Sequence, residues 1–383
     1  METIELIPRI TFAVASKNNF RYVKHAVKYI RENCYRKDHI IHIGIDGEDD
    51  ELETYYKDDN GIIVTKGVSG IAAIYNDIAK KATTDFILIY HADMIAGKDM
   101  DLYLYKQWKK GIIVSATRVE PPLHPADPSK MVDNFGLWPE EDVEDGFKRT
   151  DWDRFVEHIN YDMEKVTKGV FAPWLIHKED YWAVGGHDEN LNSHSEDRDL
   201  FNRFLLNGFD FIQPWGALVY HLTCRGGQFE HAITTENLKT KSDAWNELAK
   251  ENTRKFIRKW GTEPLYDSYQ YPIINPKYNI GLIIYNATNE LIEYLEPYFT
   301  NIYVNNDLTF QYENKIKNID DELLNDIFIT VNAQHLTKEN IEFLLKIPFV
   351  LKQNTQIGSF KFDIFNIYIK NYNQYQNELI MVK

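Results

Sequence analysis

The sequence predicts an α/β protein: a mostly parallel sheet domain followed by a second, smaller α/β unit. Three observations carry that reading. From Ile10 to Thr117, short apolar runs alternate with apolar residues at helical spacing. One of those runs, Phe86-Ile87-Leu88-Ile89-Tyr90, is unbroken, as suits a strand buried on both faces. Beyond Pro276 the composition shifts towards Asn, Ile, Tyr and Lys while the alternation resumes.

The elements follow in order. Ile10 to Ala15 form a strand, and Phe20, Val23, Val27 and Ile30 then recur at helical spacing, with Asn18 or Asn19 placed to cap the helix. Ile40 to Ile45 make a second strand, ending in Asp46-Gly47. Ile62-Ile63-Val64 is a third, and Ser69 is placed to cap a helix with Ile71, Ile74, Ile78 and Ala82 on its apolar side. The Phe86 strand stops abruptly at His91 and Asp93. In open α/β sheets, ligands bind beyond the carboxyl ends of strands, where such residues project. An acid there can hold a divalent cation, and the cation a diphosphate; the same stretch reads equally well as an exposed strand-end turn. A helix from Met100 to Lys109 and a strand from Ile112 to Thr117 come next.

Between residues 118 and 168 the rhythm breaks. Pro121, Pro122, Pro125, Pro128 and Pro139 forbid a continuous helix or central strand. Phe135, Trp138 and Trp152 predict an ordered insert, a candidate acceptor loop. Order resumes at Val170 to Ile176, and a short helix around Tyr181 stops at Gly185-Gly186. Ser195 is placed to cap a helix with Leu200, Phe201, Phe204 and Leu205 facing inward. Leu218 to His221 is a strand, and Lys241 to Trp260 a helix with a charged outer face. The predicted boundaries are a first domain over 1–262, a linker over 263–276 and an accessory domain over 277–383. In the last, Ile280 to Tyr285, Ile302 to Val304, Ile327 to Val331 and Phe349 to Leu351 read as strands, with helices over Leu291 to Tyr298 and Lys338 to Lys346.

The totals exclude several classes. A formal charge of -15 argues against loose binding to anionic polymers. Cys34 and Cys224 offer at most one bridge and no zinc spacing, which fits a reducing compartment. The start, Met1-Glu2-Thr3-Ile4-Glu5, lacks the basic lead and apolar centre of a secretion signal, and no apolar run approaches a membrane span. The expectation is a soluble, cytoplasmic protein.

Polar groups thus gather at strand and helix ends of the first domain. The ordered set Asn18, Asp46-Gly47, Gly67 to Asn76, His91-Ala92-Asp93, Gly185-Gly186, Glu196-Asp197 and His221 resembles the nucleotide-sugar glycosyltransferases of the GT-A fold, the large inverting family two. The resemblance runs up to Trp260. It implies a Rossmann-like catalytic domain that moves a sugar from a nucleotide-diphosphate donor, a UDP-sugar first among candidates, to a hydroxyl acceptor.

Residue roles follow from that resemblance. His91-Ala92-Asp93 falls at the family's DXD position with His in place of the first acid, so Asp93 keeps the metal-ligand role. His221 matches a histidine that completes the metal site in many members. With few protein ligands, Mn2+ or Mg2+ keeps waters and binds mainly through the diphosphate, whose charge it neutralises. Glu196 to Arg203 fit the family's ED-then-Arg motif, which implies Asp197 as general base with Glu196 beside it, and Arg203 as a holder of the diphosphate or the acid pair. Read alone, the same stretch is a helix start with acids in its first turn and an (i, i+4) pair of Asp199 with Arg203. Donor contacts are implied for Ser16, Asn18, Asp46, Asn76, His91 and Ala92. The chain departs from the family at Ile45, where an acid pair has its first member, and at Tyr75, where an Arg often precedes the Asn. Trp174 is the candidate acceptor-side floor for a sugar ring, against the plain reading of a core tryptophan. Arg225-Gly226-Gly227 reads equally as a loop closing over phosphate or as a plain turn.

Other classes keep a claim. The departures at Ile45 and His91 also suit a nucleotide-sugar-binding module without turnover. A nucleotidyltransferase is disfavoured, because no Gly-rich, Lys- or Arg-bearing phosphate loop lies near Ile10 to Asn19. The acceptor stays open among glycan, protein, lipid-linked sugar and modified DNA base. The last belongs to a phage-type glycosyltransferase acting on a hydroxymethylated base. The composition of the second unit has a phage flavour, while the acidic total counts against DNA. That unit is expected to recruit the acceptor or to mediate assembly into a homo-oligomer.

Overall fold

The computed structural model describes residues 7–161, 164–225, 240–305, 315–353 and 356–373, with only the backbone of residues 160 and 161. The amino-terminal segment Met1 to Glu5 and the Gly226-Gly227 pair lie outside them. The chain divides into two compact units, the first within Met1–Ala249 and Tyr266–Pro272, the second within Lys250–Leu265 and Ile273–Met381.

The first unit opens with β1 (Ile10–Ser16), α1 (Phe20–Asn33), β2 (Ile40–Ile45), α2 (Asp50–Tyr56), β3 (Ile62–Thr65), α3 (Ile71–Lys81) and β4 (Phe86–His91). Then come β5 (Met94–Ala96), α4 (Met100–Gln107), β6 (Ile112–Ser115), β7 (Thr117–Glu120), β8 (Lys130–Val132), α5 (Arg149–Tyr161) and β9 (Val166–Thr167). β10 (Trp174–His177), α6 (Lys178–Ala183), α7 (Glu196–Leu206), β11 (Asp210–Pro214), β12 (Leu218–His221) and α8 (Asp243–Trp260) follow. The main sheet has eight strands in the order β3-β2-β1-β4-β10-β6-β11-β9. It is parallel except where β10 and β9 run against their neighbours, so the mostly parallel α/β class holds. β1 and β4 are buried almost throughout, as unbroken apolar runs in such a sheet should be.

Register decides where the polar strand ends meet. β1 lies between β2 and β4, with Ser16 opposite Ile45 and Ala15 opposite His91. The chain leaves β1 to one side for β2 and β3, then returns on the other side as β4. That reversal opens a crevice at the carboxyl edge, flanked by the ends of all three strands. A second sheet, in the order β5-β12-β7-β8, stands beside it.

Several local expectations are corrected. The single strand expected from Ile112 to Thr117 is two, because Ala116 N–H donates to Pro173 O and Thr117 N–H to Ala217 O, which moves the chain from one sheet to the other. The insert is ordered, as expected, but less irregular: past Pro139 it carries no proline, and α5 buries Trp152 and Val156 on one face. Neither Ser69 nor Ser195 caps a helix through its side chain. Gly70, at φ +92°, holds the first of those positions, and Ser195 itself is left-handed at φ +69°. Among the described residues, no helix is long and apolar enough to cross a membrane.

One buried polar knot fixes the link from α1 to β2. The fully buried Asp101 carboxylate accepts from Tyr35 N–H at 2.7 Å, Arg36 N–H at 3.0 Å and His39 Nε2 at 2.9 Å, while His39 Nδ1 accepts from Ile10 N–H at 3.1 Å. Both ring nitrogens are committed, so this group, with buried Cys34 beside it, is structural rather than a metal centre. Asp101→Ala strands three donors, the buried His39 ring and the part-buried Tyr35 and Arg36 N–H groups, and is expected to cost about 3–5 kcal/mol in chemical denaturation. A loss under about 1 kcal/mol, the net worth of one ordinary hydrogen bond, would show that water replaces the carboxylate there.

The second unit builds a sheet from β13 (Ile280–Tyr285), β14 (Asn301–Val304), β15 (Ile316–Asn318), β16 (Ile327–Asn332), β17 (Gly358–Phe362) and β18 (Phe365–Ile369), in the order β15-β14-β13-β16-β18-β17. Its helices are α9 (Asn289–Leu295), α10 (Lys338–Leu345) and α11 (Ile347–Gln353). The expected strand at Phe349 to Leu351 lies in α11: Ile347 and Leu351, one turn apart, are buried while Val350 is exposed. The predicted first-domain boundary at 262 also differs from the division into units. Arg254 and Arg258 of α8 both donate to the buried Glu296, which draws that half of the helix into the second unit.

Candidate active site

Two sheets bring one cluster together. β4 ends at His91 and turns through Ala92-Asp93 into β5, which runs antiparallel to β12 with Met94 opposite His221. His221 Nε2 thereby comes to 3.5 Å from Asp93 Oδ2. On the other flank β7 runs parallel to β12 and delivers Glu120, whose Oε1 accepts from His221 Nδ1 at 2.9 Å. Arg118 and Lys130 each donate to Glu120 at 2.7 Å. Ligand-capable atoms of His91, Asp93 and His221 all lie within 4.8 Å of one another.

That donor set suits a divalent ion. With Nδ1 held by Glu120, Nε2 of His221 faces Asp93, the carboxylate–histidine arrangement that orients metal ligands. Two imidazoles and one carboxylate fit Mn2+ better than Mg2+, which prefers oxygen alone. Burial lowers the His91 pKa against the pull of Asp93 and Asp197, which favours the neutral ring a metal needs. Burial opposes charge on Asp93, but His221 outweighs it and lowers the Asp93 pKa.

His221 gives a pH signature. Burial works against its proton, yet Asp93 and Glu120 prevail and raise it to about 9. In the metal-free protein, the stability this contributes is full below about pH 6.5, the unfolded value, and is lost as pH rises through about 9. A metal must displace that proton, so its affinity runs the other way and grows with pH. The rise in melting temperature on adding Mn2+ should therefore increase between about pH 6.5 and 9. An increment that does not change over that range would remove His221 from the metal site.

The cluster lines a cleft of about 440 Å³ in the first unit, which also takes in Ser16, Asp46, Tyr75, Asp197 and Trp245. Across it, the first turn of α7 presents Glu196 and Asp197. Burial, then the charge of Asp197, push the Glu196 carboxyl well above its ordinary range. That environment favours the protonated form of Glu196, which can then donate a hydrogen bond into the cleft. Asp197 is the more exposed, with 32% of its side chain accessible. Ser16 Oγ, Tyr75 OH and Glu196 Oε2 are buried, line the cleft and have no hydrogen-bond partner among the described residues. Buried polar atoms left in that state mark a place where a ligand or water completes the bonding.

The structure gathers Ser16, Asp46, His91, Ala92, Asp93, Glu196, Asp197 and His221 on this cleft. Asp46 Oδ1 accepts from Ser69 Oγ at 2.9 Å and Gly70 N–H at 3.2 Å, and Oδ2 lies 3.5 Å from Lys17 Nζ. Asn18 is exposed and left-handed at φ +53°; Asn19, not Asn18, joins the lining.

Besides Asn18, three expected site residues are placed elsewhere. Arg203 is fully buried and outside the cleft lining, donating through Nε to Asp199 at 2.8 Å and through Nη1 to Val184 O, so it ties α7 to the Gly-Gly turn. The plain helical pair was the right reading. Trp174 starts a central strand covered on both faces; it is 1% exposed, its indole N–H donates to Val170 O at 2.6 Å, and its ring meets Phe201 edge-on. Asn76 is bonded to the turn behind α7 rather than to the cleft. Arg225 is likewise buried, donating to the carbonyls of Thr223 and Leu137.

Three residues escaped the sequence reading. Glu120 hides at the mouth of the proline-rich insert, its only signal an acid closing the β-branched run before Pro121-Pro122. His187 directly follows Gly185-Gly186, and its Nε2 lies 3.6 Å from Asp197 Oδ1. Trp245 lines the cleft from α8, whose charged sequence gave no hint of it.

No protein-family model matches the sequence, and no curated protein matches it. Among solved structures, one of GalNAc-T7 with UDP, GalNAc and Mn2+ aligns at 12% identity and TM-score 0.44, over 57% of this chain and 44% of that one. The mannosyltransferase PcManGT from Pyrobaculum calidifontis, in complex with GDP-Man and Mn2+, aligns at 14% identity and TM-score 0.42, over 66% of this chain and 65% of that one. The chain thus spans less than two thirds of either.

Proposed function

We propose that this protein is a metal-dependent inverting glycosyltransferase that moves a sugar from a nucleotide-diphosphate donor to a hydroxyl acceptor. The observation that carries this reading is the meeting of the His91, Asp93 and His221 cluster with the Glu196-Asp197 pair on one cleft, at the carboxyl edge of a parallel sheet. Asp93 and His221, with His91 beside them, would hold Mn2+ or Mg2+, which when bound would supply charge neutralisation for a departing diphosphate. Ser16 and Asp46 meet the nucleotide of a UDP-sugar, and the protonated Glu196 and the Tyr75 hydroxyl meet sugar hydroxyls. Trp245 supplies the apolar face assigned at first to Trp174.

Asp197 acts as general base. It takes the proton of the acceptor hydroxyl as that oxygen bonds to the anomeric carbon. The bond from that carbon to the diphosphate oxygen breaks, its electron pair leaving with the phosphate. Attack from the face opposite the leaving group inverts the configuration. The second unit recruits the acceptor or joins copies of the chain.

A panel of nucleotide sugars, assayed for nucleotide-diphosphate release with and without Mn2+, tests the proposal. Release from at least one donor, abolished by chelation and giving the inverted anomer, is the expected result. Tight donor binding with no release from any donor would leave a binding module instead.

A further inference from the structure

We infer that His187 is the proton acceptor behind Asp197, so that the proton taken from the acceptor hydroxyl comes to rest on His187 Nε2; this rests on Asp197 being the base. The argument starts at the Gly-Gly turn. At Gly186, φ +68°, an added Cβ would lie 2.5 Å from Asn76 Oδ1, so glycine alone lets the turn press against α3. The Asn76 amide is oriented by backbone groups that have no choice of role. Its Oδ1 accepts from His187 N–H at 2.9 Å, and its Nδ2 donates to His187 O at 2.9 Å and to Glu189 Oε1 at 2.8 Å.

An amide oxygen cannot donate, so the Tyr181 hydroxyl, 2.7 Å away, gives its only proton to Asn76 Oδ1. Tyr181 oxygen is then an acceptor for His187 Nδ1, also at 2.7 Å. The network therefore assigns the proton of the neutral ring to Nδ1 and leaves Nε2 bare. The ring is fully buried, and Nε2 has no hydrogen-bond partner among the described residues. It faces Asp197 Oδ1 at 3.6 Å. Two lone pairs look at each other across a gap that one proton would close.

The groups around the ring are Tyr75 and Asn76 from α3, Tyr181 from α6 and Asp197 from α7, with Glu196 next to Asp197 and Glu189 bonded to Asn76. The cation felt at this turn is Arg203, which acts on Tyr181 but is itself paired with Asp199 through Nε at 2.8 Å, so its charge is offset before it reaches the ring. During transfer the acceptor O–H bond breaks, its oxygen bonds to the anomeric carbon, and the carbon–diphosphate bond breaks with its electron pair leaving on phosphate. The proton passes through Asp197 to Nε2, giving an imidazolium–carboxylate pair, and returns to water when the products depart. The bare Nε2 is an acceptor placed to take the proton from Asp197 Oδ1, which leaves that carboxylate charged and ready for the next acceptor. His187 acts through Asp197 and touches no substrate.

Long-range 15N–1H NMR of the histidine-labelled protein tests the resting state without any substrate. A neutral His187 protonated on Nδ1 is expected; a ring carrying a proton on Nε2 overturns the relay. On the active enzyme, His187→Gln should lower kcat about 10- to 100-fold, the usual effect of an outer partner, with the donor KM little changed and the acidic limb of the pH profile displaced. Unchanged kcat and an unchanged profile in His187→Gln, with the wild type active, overturn the relay alone. A wild type inactive on every donor overturns the transferase reading, and the relay with it.

Discussion

Asp197→Asn is expected to lower kcat by about 10²–10⁴-fold, the usual contribution of a positioned general base, while donor affinity changes little. Asparagine keeps the size of the side chain but has no basic oxygen to take the acceptor's proton. It also offers an N–H to the bare Nε2 of His187, so the position stays filled and the fold keeps its contacts. The split between kcat and donor affinity is the informative readout, because Asp197 stands across the cleft from the His91, Asp93 and His221 cluster. A loss below about tenfold would mean that solvent or another group deprotonates the acceptor.

The second large effect is at the cation site. Asp93→Ala removes the only carboxylate of the cluster and leaves the two imidazoles. Activity should fall by about 10²–10³-fold, since several kcal/mol of charge neutralisation on the leaving group is lost at about 1.4 kcal/mol per tenfold. Mn2+ binding measured by calorimetry in the presence of the nucleotide diphosphate should weaken in parallel. The folded state should survive, because the bond that fixes this turn, from Leu222 N–H to Asp93 O at 3.0 Å, belongs to the backbone. Wild-type activity in Asp93→Ala would place the metal elsewhere or make the reaction metal-free.

The sequence made the main sheet legible because its central strands are unbroken apolar runs that end on polar residues. Once β1, β2 and β4 are parallel neighbours, Ser16, Asp46 and His91 must share an edge, and Asp93 must lie just past it. What the sequence hid depended on partners remote in the chain. The sheet change at Ala116 is set by Pro173 and Ala217, and nothing local to Ile112 to Thr117 announces it. Glu120 became a partner of His221 only through that change. Arg203 and Trp174 show the opposite error, in which motif position suggested a ligand contact while the plain readings, a helical ion pair and a core aromatic, described where the side chains go. Asn76 is the mixed case. It stands beside the site, yet its amide is spent on the His187 turn, whose chemistry no spacing rule could display.

The central claim is that one cation, and through it one diphosphate, sits on His91, Asp93 and His221. Anomalous scattering from crystals grown with Mn2+ and a nucleotide diphosphate tests it most directly. The account predicts a single strong manganese peak within bonding distance of Asp93 and His221, with phosphate oxygens completing its shell and Asp197 facing it across the cleft. A nucleotide diphosphate bound in the cleft with no manganese at those side chains, or a manganese peak held by other residues, would contradict it.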